Sequence, residues 1–96
     1  MASVRLEAEQ TIRLDGELKF PVIVAVRKQV EQMLSGLDGD VNLDFAGVTA
    51  ADSSALSFWL CCLRFANGNG TRLHALNLSE ELRGIVRLVG LEKQIA

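Results

Sequence analysis

Charge of one sign is lacking: ten Lys and Arg stand against twelve Asp and Glu, a formal net charge of −2. Nucleic acid requires a basic stripe, which this balance does not supply, and an anionic membrane surface finds nothing to attract. Long apolar runs are also lacking. None approaches the roughly 20 residues of a membrane span, so no direct membrane insertion is expected. The opening "MASVRLEAEQ" is charged and has no apolar core of a secretory signal, so none is expected. Cysteine is confined to the neighbours Cys61 and Cys62, which cannot easily reach disulfide geometry. They read as reduced, small apolar residues of a cytoplasmic protein.

Chemistry-bearing residues are just as sparse. His74 is the only histidine, and with Cys61 and Cys62 it has no metal-ligand spacing. "ADSSAL" sits on a strand-loop-helix path, but the glycines of G-x-S-x-G are missing and His74 belongs to a later strand. "GNG" lacks the lysine and spacing of a phosphate-binding loop. Arg83 and Arg87 lie one turn apart on the last helix and read as a solvated face, with a partner carboxylate or phosphate as the alternative. No catalysis, metal or cofactor is expected.

What is present is an ordinary globular composition, 49% apolar and 23% charged, over 96 residues. One domain spanning residues 1–96 with a single core is the natural expectation. "SVRLEAE" alternates with Val4, Leu6 and Ala8 on one side, and "TIRLD" with Ile12 and Leu14, predicting two antiparallel strands, the second ended by Gly16. Pro21 suits a first helical turn. Val22, Val26, Val30, Met33 and Leu37 then predict an amphipathic helix stopped near Gly36. "DVNLDF" predicts a strand, "GVTAAD" a loop, residues 53–67 a helix, "NGNG" a turn and "TRLHAL" a strand. "NLSEELRGIVRLVG" predicts a last helix, capped by Asn77 or Ser79, with Glu80 and Glu81 at its positive end and Gly90 at its exit. Helical crossovers between the later strands imply parallel pairing, and so an α/β layer with helices on a mixed sheet.

The helix from Ser53 is unusually apolar. At about 100° per residue, Ser53, Ser57 and Arg64 fall in one narrow stripe flanked by Leu60 and Asn67, with Cys61 beside it. Ala55, Leu56, Phe58, Trp59, Cys62, Leu63 and Ala66 cover the other side broadly. A core needs only about 100° of such an arc. Neighbouring helices could bury the surplus, or the margin of this helix could meet another protein. On the second reading Ser53, Ser57, Leu60 and Arg64 form the ridge presented outward, at a spacing partner helices use. Asp52, Ser53 and Ser54 are also good capping residues, and some of their oxygens are expected to cap.

"LDGELKFPV" after a strand, then a helix, then "VNLDFAGVTAADSSAL" opening an apolar helix resembles the STAS domain, over about residues 11–95. The family's apolar strand with its aspartate corresponds to Val41–Phe45, and its V-x-x-x-D-S-S segment to Val48–Leu56. Ala55 stands where the family has glycine, a change compatible with a helical start. The resemblance implies an α/β fold, a STAS-like mixed sheet of four or five strands backed by helices, and no catalysis. Two branches supply partners. The "L-x-G-E-L-x-F" opening and the short chain look like the STAS subunits of Mla-type phospholipid-transport ABC complexes, which maintain outer-membrane lipid asymmetry in Gram-negative bacteria. That likeness implies a cytoplasmic subunit, peripheral to the inner membrane, bound to the transporter's ATPase and through it to the permease. The other branch is the anti-sigma factor antagonists. It implies an anti-sigma factor kinase as partner and phosphorylation at the residue after the aspartate, here Ser53. The transporter branch implies that the same residue, Ser53, lies in the contact with the ATPase. Together with the helix entrance and the outward ridge, the expected partner-binding residues are Asp52, Ser53, Ser54, Ser57, Leu60, Cys61 and Arg64.

Overall fold

The computed structural model describes residues 2–88, with the side chains of residues 85–88 left aside. β1 (Ala2–Glu7) and β2 (Thr11–Leu18) pair antiparallel. α1 (Val22–Ser35) leads to β3 (Gly39–Ala51), α2 (Ser54–Asn69) to β4 (Thr71–Leu76), and α3 (Glu80–Leu88) follows. The sheet order is β1-β2-β3-β4, with β2–β3 and β3–β4 parallel, as the two crossover helices require. The expected antiparallel start and parallel remainder are both present.

Period-two alternation sends Ile12, Leu14, Val41, Leu43, Phe45, Leu73 and Ala75 to one face, where they share a core with Ile23, Val26, Val30, Leu34, Phe58, Trp59 and Cys62. The Phe45 and Trp59 rings meet edge to face with centroids 6.2 Å apart. The alternate residues give a polar second face. There Asp15 accepts from Arg13 at 3.1 Å, and Asp40 sits 2.9 Å from both Arg72 and His74. Gly47 lies against Asp15 on this face. A Cβ there would stand 2.8 Å from the Leu14 carbonyl oxygen, too close for any side chain.

Several expected boundaries move. Gly16 does not end β2: at φ 96° it takes a left-handed conformation inside the strand, and the pairing resumes at Glu17↔Ala50 and Leu18↔Ala51. Glycine here marks an irregularity of the ladder, and the fully buried Leu18 anchors the continuation. The same pairing draws "GVTAA" into β3, which is therefore a strand where a loop was expected. "NGN" belongs to α2. The helix ends only at Gly70, the residue that adopts φ 78° and whose N–H reaches the Ala66 and Asn67 carbonyls. The buried stripe of α1 is Ile23, Val26, Val30 and Leu34, so Val26 and Val30 are buried as expected, while Ile23 and Leu34 take the places expected of Val22 and Met33. Val22 is exposed, and Met33 and Leu37 are only half-buried. Leu6, expected on the core side, is left exposed at the end of the edge strand. In α3 the cap is Ser79, whose hydroxyl oxygen accepts the Leu82 N–H at 3.1 Å. Gly90 and the side chain of Arg87 lie outside the described residues. No described helix is long and apolar enough to cross a membrane.

Candidate functional site

The parallel strands β2 and β3 end together, and α1 and α2 both start there. Asp52, the first residue beyond β3, ties these starts to each other. Its N–H donates to the Leu18 carbonyl at 3.3 Å, and its Oδ2 accepts the Phe20 N–H at 3.3 Å. Its Oδ1 accepts the Ser54 N–H at 2.9 Å and also the Ser54 hydroxyl. The hydrogen bond from the Ser54 hydroxyl holds the Asp52 carboxyl below the usual carboxylate range, helped by the Ser54 and Phe20 amides and the charge of Lys19, against the opposing effect of burial. From the other side, Glu81 of α3 accepts the Ala51 N–H at 2.8 Å.

The capping duty at this helix start therefore falls to Asp52, with half-buried Ser54 as its partner. Ser53 occupies the N-cap position, yet its side chain makes no capping hydrogen bond and it is exposed. Ala55 is buried, so the methyl that replaces the family glycine packs into the core. Along α2, Ser57 and Arg64 are exposed, and Leu60 and Cys61 are half-buried. The buried arc holds Ala55, Phe58, Trp59, Cys62 and Ala66, whereas Leu56 and Leu63 of the expected arc are only half-buried. The structure thus places Ser53, Ser57 and Arg64 together on an open margin, with Leu60 at its apolar border. Cys61, Arg64 and Phe65 of α2 also line a groove whose other wall is Arg27 and Glu31 of α1.

Sequence reasoning missed the other half of this end. Phe20 is 70% exposed, Val22 45% and Val24 41%, all at the start of α1 beside the Asp52 staple. The available signal was "FPVIVAV", which has more apolar residues than one buried stripe uses. Its β-branched excess reads as a confusion with a strand and hides the surplus. His74 takes no part. It pairs with Asp40 at the opening of β3, whereas Ser53 follows that strand's far end, so no Ser–His pairing exists. Among the described residues no three His, Cys, Asp or Glu side chains gather as metal ligands.

The family model described as "Mlab, STAS domain" matches residues 1–96. The chain belongs to the STAS family. Solved STAS-like structures share its fold. The anti-sigma factor antagonist SpoIIAA in its unphosphorylated form superposes with a TM-score of 0.77 at 18% identity, covering 100% of this chain and 86% of that one. An anti-sigma factor antagonist from Mycobacterium paratuberculosis gives 0.78 at 15% identity over 99% and 83%. The phosphorylated form of the Bacillus cell fate determinant SpoIIAA gives 0.65 at 20% identity over 100% and 89%. No curated protein sequence matches the chain. Among the described residues the sheet of this STAS domain has four strands, within the expected four or five, and its relation to the antagonists lies in the fold.

Proposed function

We propose that this STAS domain, acting as a single domain over residues 1–96, is a non-catalytic docking subunit for the ATPase of a phospholipid-transporting ABC complex. The observation that carries the reading is the division of labour at the start of α2. Asp52 and Ser54 complete the cap, which leaves the Ser53 hydroxyl exposed and free of it, while Asp52 also holds the start of α1, where Phe20, Val22 and Val24 are exposed. Small hydroxyls allow close approach, and the exposed apolar side chains give a partner area to bury. A standard interface removes about 800 Å² per partner from water, with a few central residues carrying most of the affinity. Ser53, Ser57, Leu60 and Arg64 are those residues on α2. The description of the matched family supports the transporter as the setting. The domain is then cytoplasmic and held at the inner membrane through the ATPase, which links it to the permease.

Added charge at Ser53 separates folding from binding. An anion at a helix N-terminus suits the isolated domain, although Asp52 already supplies one carboxylate there. Against a partner surface fitted to the neutral hydroxyl, the extra charge is buried without a counter-charge. Ser53→Glu and Leu60→Arg are expected to keep the wild-type circular dichroism spectrum and to lose co-purification with the ATPase. Wild-type recovery of the ATPase by both variants would remove this surface from the proposal.

The exposed Ser53 hydroxyl also favours a second reading, an anti-sigma factor antagonist whose partner kinase phosphorylates Ser53. Phosphate would add about −1.5 to −2 charges at the same spot. Mass spectrometry of the protein from its native cell decides between the two. Stoichiometric phosphate on Ser53 supports the switch, and unmodified Ser53 in an ATPase complex supports the transporter.

A further inference from the structure

α1 and α2 each follow one of the neighbouring parallel strands β2 and β3, so they run side by side in the same direction across the sheet. Between them lies a surface groove. One lobe, about 310 Å³, is walled by Lys28, Glu31 and Phe65. The next, about 210 Å³, is walled by Arg27, Cys61 and Arg64, again with Glu31 and Phe65. The shared walls make the two lobes neighbours along α1.

The groove is cationic in a chain that is net negative. α1 and α2 carry Arg27, Lys28 and Arg64 against one carboxylate, Glu31, and Arg64 is the only charged residue of α2. Arg27 Nη1 holds Glu31 Oε2 at 3.2 Å, so that pair cancels. Lys28 and Arg64 are exposed, and neither has an ion-pair partner among the described residues. Two separated cations in two lobes, with an aromatic ring between them, match carboxylates spaced along a chain better than one compact anion. An anionic lipid surface is disfavoured by the net charge of −2 on the chain as a whole.

The geometry points to the α1–α2 groove as the docking site for an acidic segment of a partner protein, with its carboxylates at Lys28 and Arg64 and an apolar side chain against Phe65. This rests on the reading that a partner docks along α2, and it extends that contact from the Ser53 end down the side of the helix facing α1. Opposite charge across such a surface speeds encounter and fixes register, and added salt weakens it.

Cys61 supplies the measurement. It lines the groove and is half-buried. Cys62 is buried, and that burial pushes its thiol up to about 12, so alkylation near neutral pH reads Cys61 alone. The probe is a synthetic amphipathic peptide of Glu and Leu, and its control carries Lys for every Glu. The acidic peptide is expected to slow alkylation of Cys61 and the basic one to leave it unchanged. Lys28→Glu, with an unaltered circular dichroism spectrum, is expected to raise the acidic peptide's Kd about tenfold. Alkylation as fast with the acidic peptide as without it, or equal protection by both peptides, overturns the groove proposal. Neither result touches docking at the Ser53 end, which the co-purification of Ser53→Glu reads separately.

Discussion

The two ends of α2 treat their polar side chains in opposite ways. At the C-terminal end, side chains finish backbone hydrogen bonding. Asn69 Nδ2 donates to the Leu34 carbonyl at 2.6 Å and the Leu37 carbonyl at 3.3 Å, and the buried Thr71 hydroxyl donates to Ala66 at 3.1 Å. Nearby, Gln10 Nε2 donates to the carbonyls of Asp38 and Asp40, each at 2.7 Å. At the N-terminal end Asp52 does comparable work, yet among the described residues the Ser53 and Ser57 hydroxyls make no hydrogen bond within the chain. Phe20, Val22 and Val24 are exposed at the start of α1, which Asp52 holds through the Phe20 N–H. Loops that need closing are closed by local side chains at one end, and a surface is left unfinished at the other. Stability and binding should therefore separate along one helix.

The largest stability effect is expected at the closed end. Asn69→Ala leaves the Leu34 and Leu37 carbonyls without that donor, and Leu34 belongs to the core. The Leu34 carbonyl keeps the Leu37 N–H, so the loss is that of two side-chain hydrogen bonds, about 0.5–1.5 kcal/mol each. Ser57→Ala at the open end should stay within about 0.5 kcal/mol. Urea denaturation of both variants checks the contrast, and equal losses would abolish it.

Asp52 tests the boundary between the two behaviours. Asp52→Asn keeps the shape but removes the charge that accepts from Ser54 and Phe20, so a destabilisation smaller than that of Asn69→Ala is expected. The pH dependence has a definite sign. Because the folded carboxyl titrates below its unfolded value, its stabilisation is complete above the ordinary carboxylate pKa of about 3.9. It is lost as pH falls from there through the lower folded value. The gap between wild type and Asp52→Asn should therefore be constant near neutrality and close in acid. A gap that persists below the folded pKa would mean that the charge is not what Asp52 contributes.

How these ends appear in the sequence differs just as much. Element order, mixed pairing and the buried arc of α2 were legible because alternation in "TIRLD" and "DVNLDF" and helical spacing after Ser53 are local signals. The lengths of β2 and β3 were not, because Gly16 and the "GVTAA" segment are extended by pairing with each other, a non-local cause. "NGN" read as a turn because nothing local reveals that Asn69 is held by carbonyls 32 and 35 residues away. At the site, Ser53, Ser57 and Arg64 were legible from the wheel of a single helix. Phe20, Val22 and Val24 join them only because Asp52 brings the start of α1 against the start of α2. The capping role of Asp52 rather than Ser53 depends on geometry that composition does not distinguish.

The smallest stability effect is expected where the apolar surface is most open. Phe20→Ser and Val24→Ser remove side chains that are 70% and 41% exposed, so little burial is lost. The Phe20 backbone N–H remains available to Asp52 in the variant. A change within about 0.5 kcal/mol is expected for Phe20→Ser. If this end is built for a partner, the same variant should weaken ATPase binding more than tenfold, because a central aromatic carries about 2 kcal/mol or more in an interface. Denaturation and a binding titration on one protein sample read the two quantities together. A Phe20→Ser domain that loses stability while binding normally would reverse the assignment of the open end, making Phe20 a support of the α1 start instead of a contact.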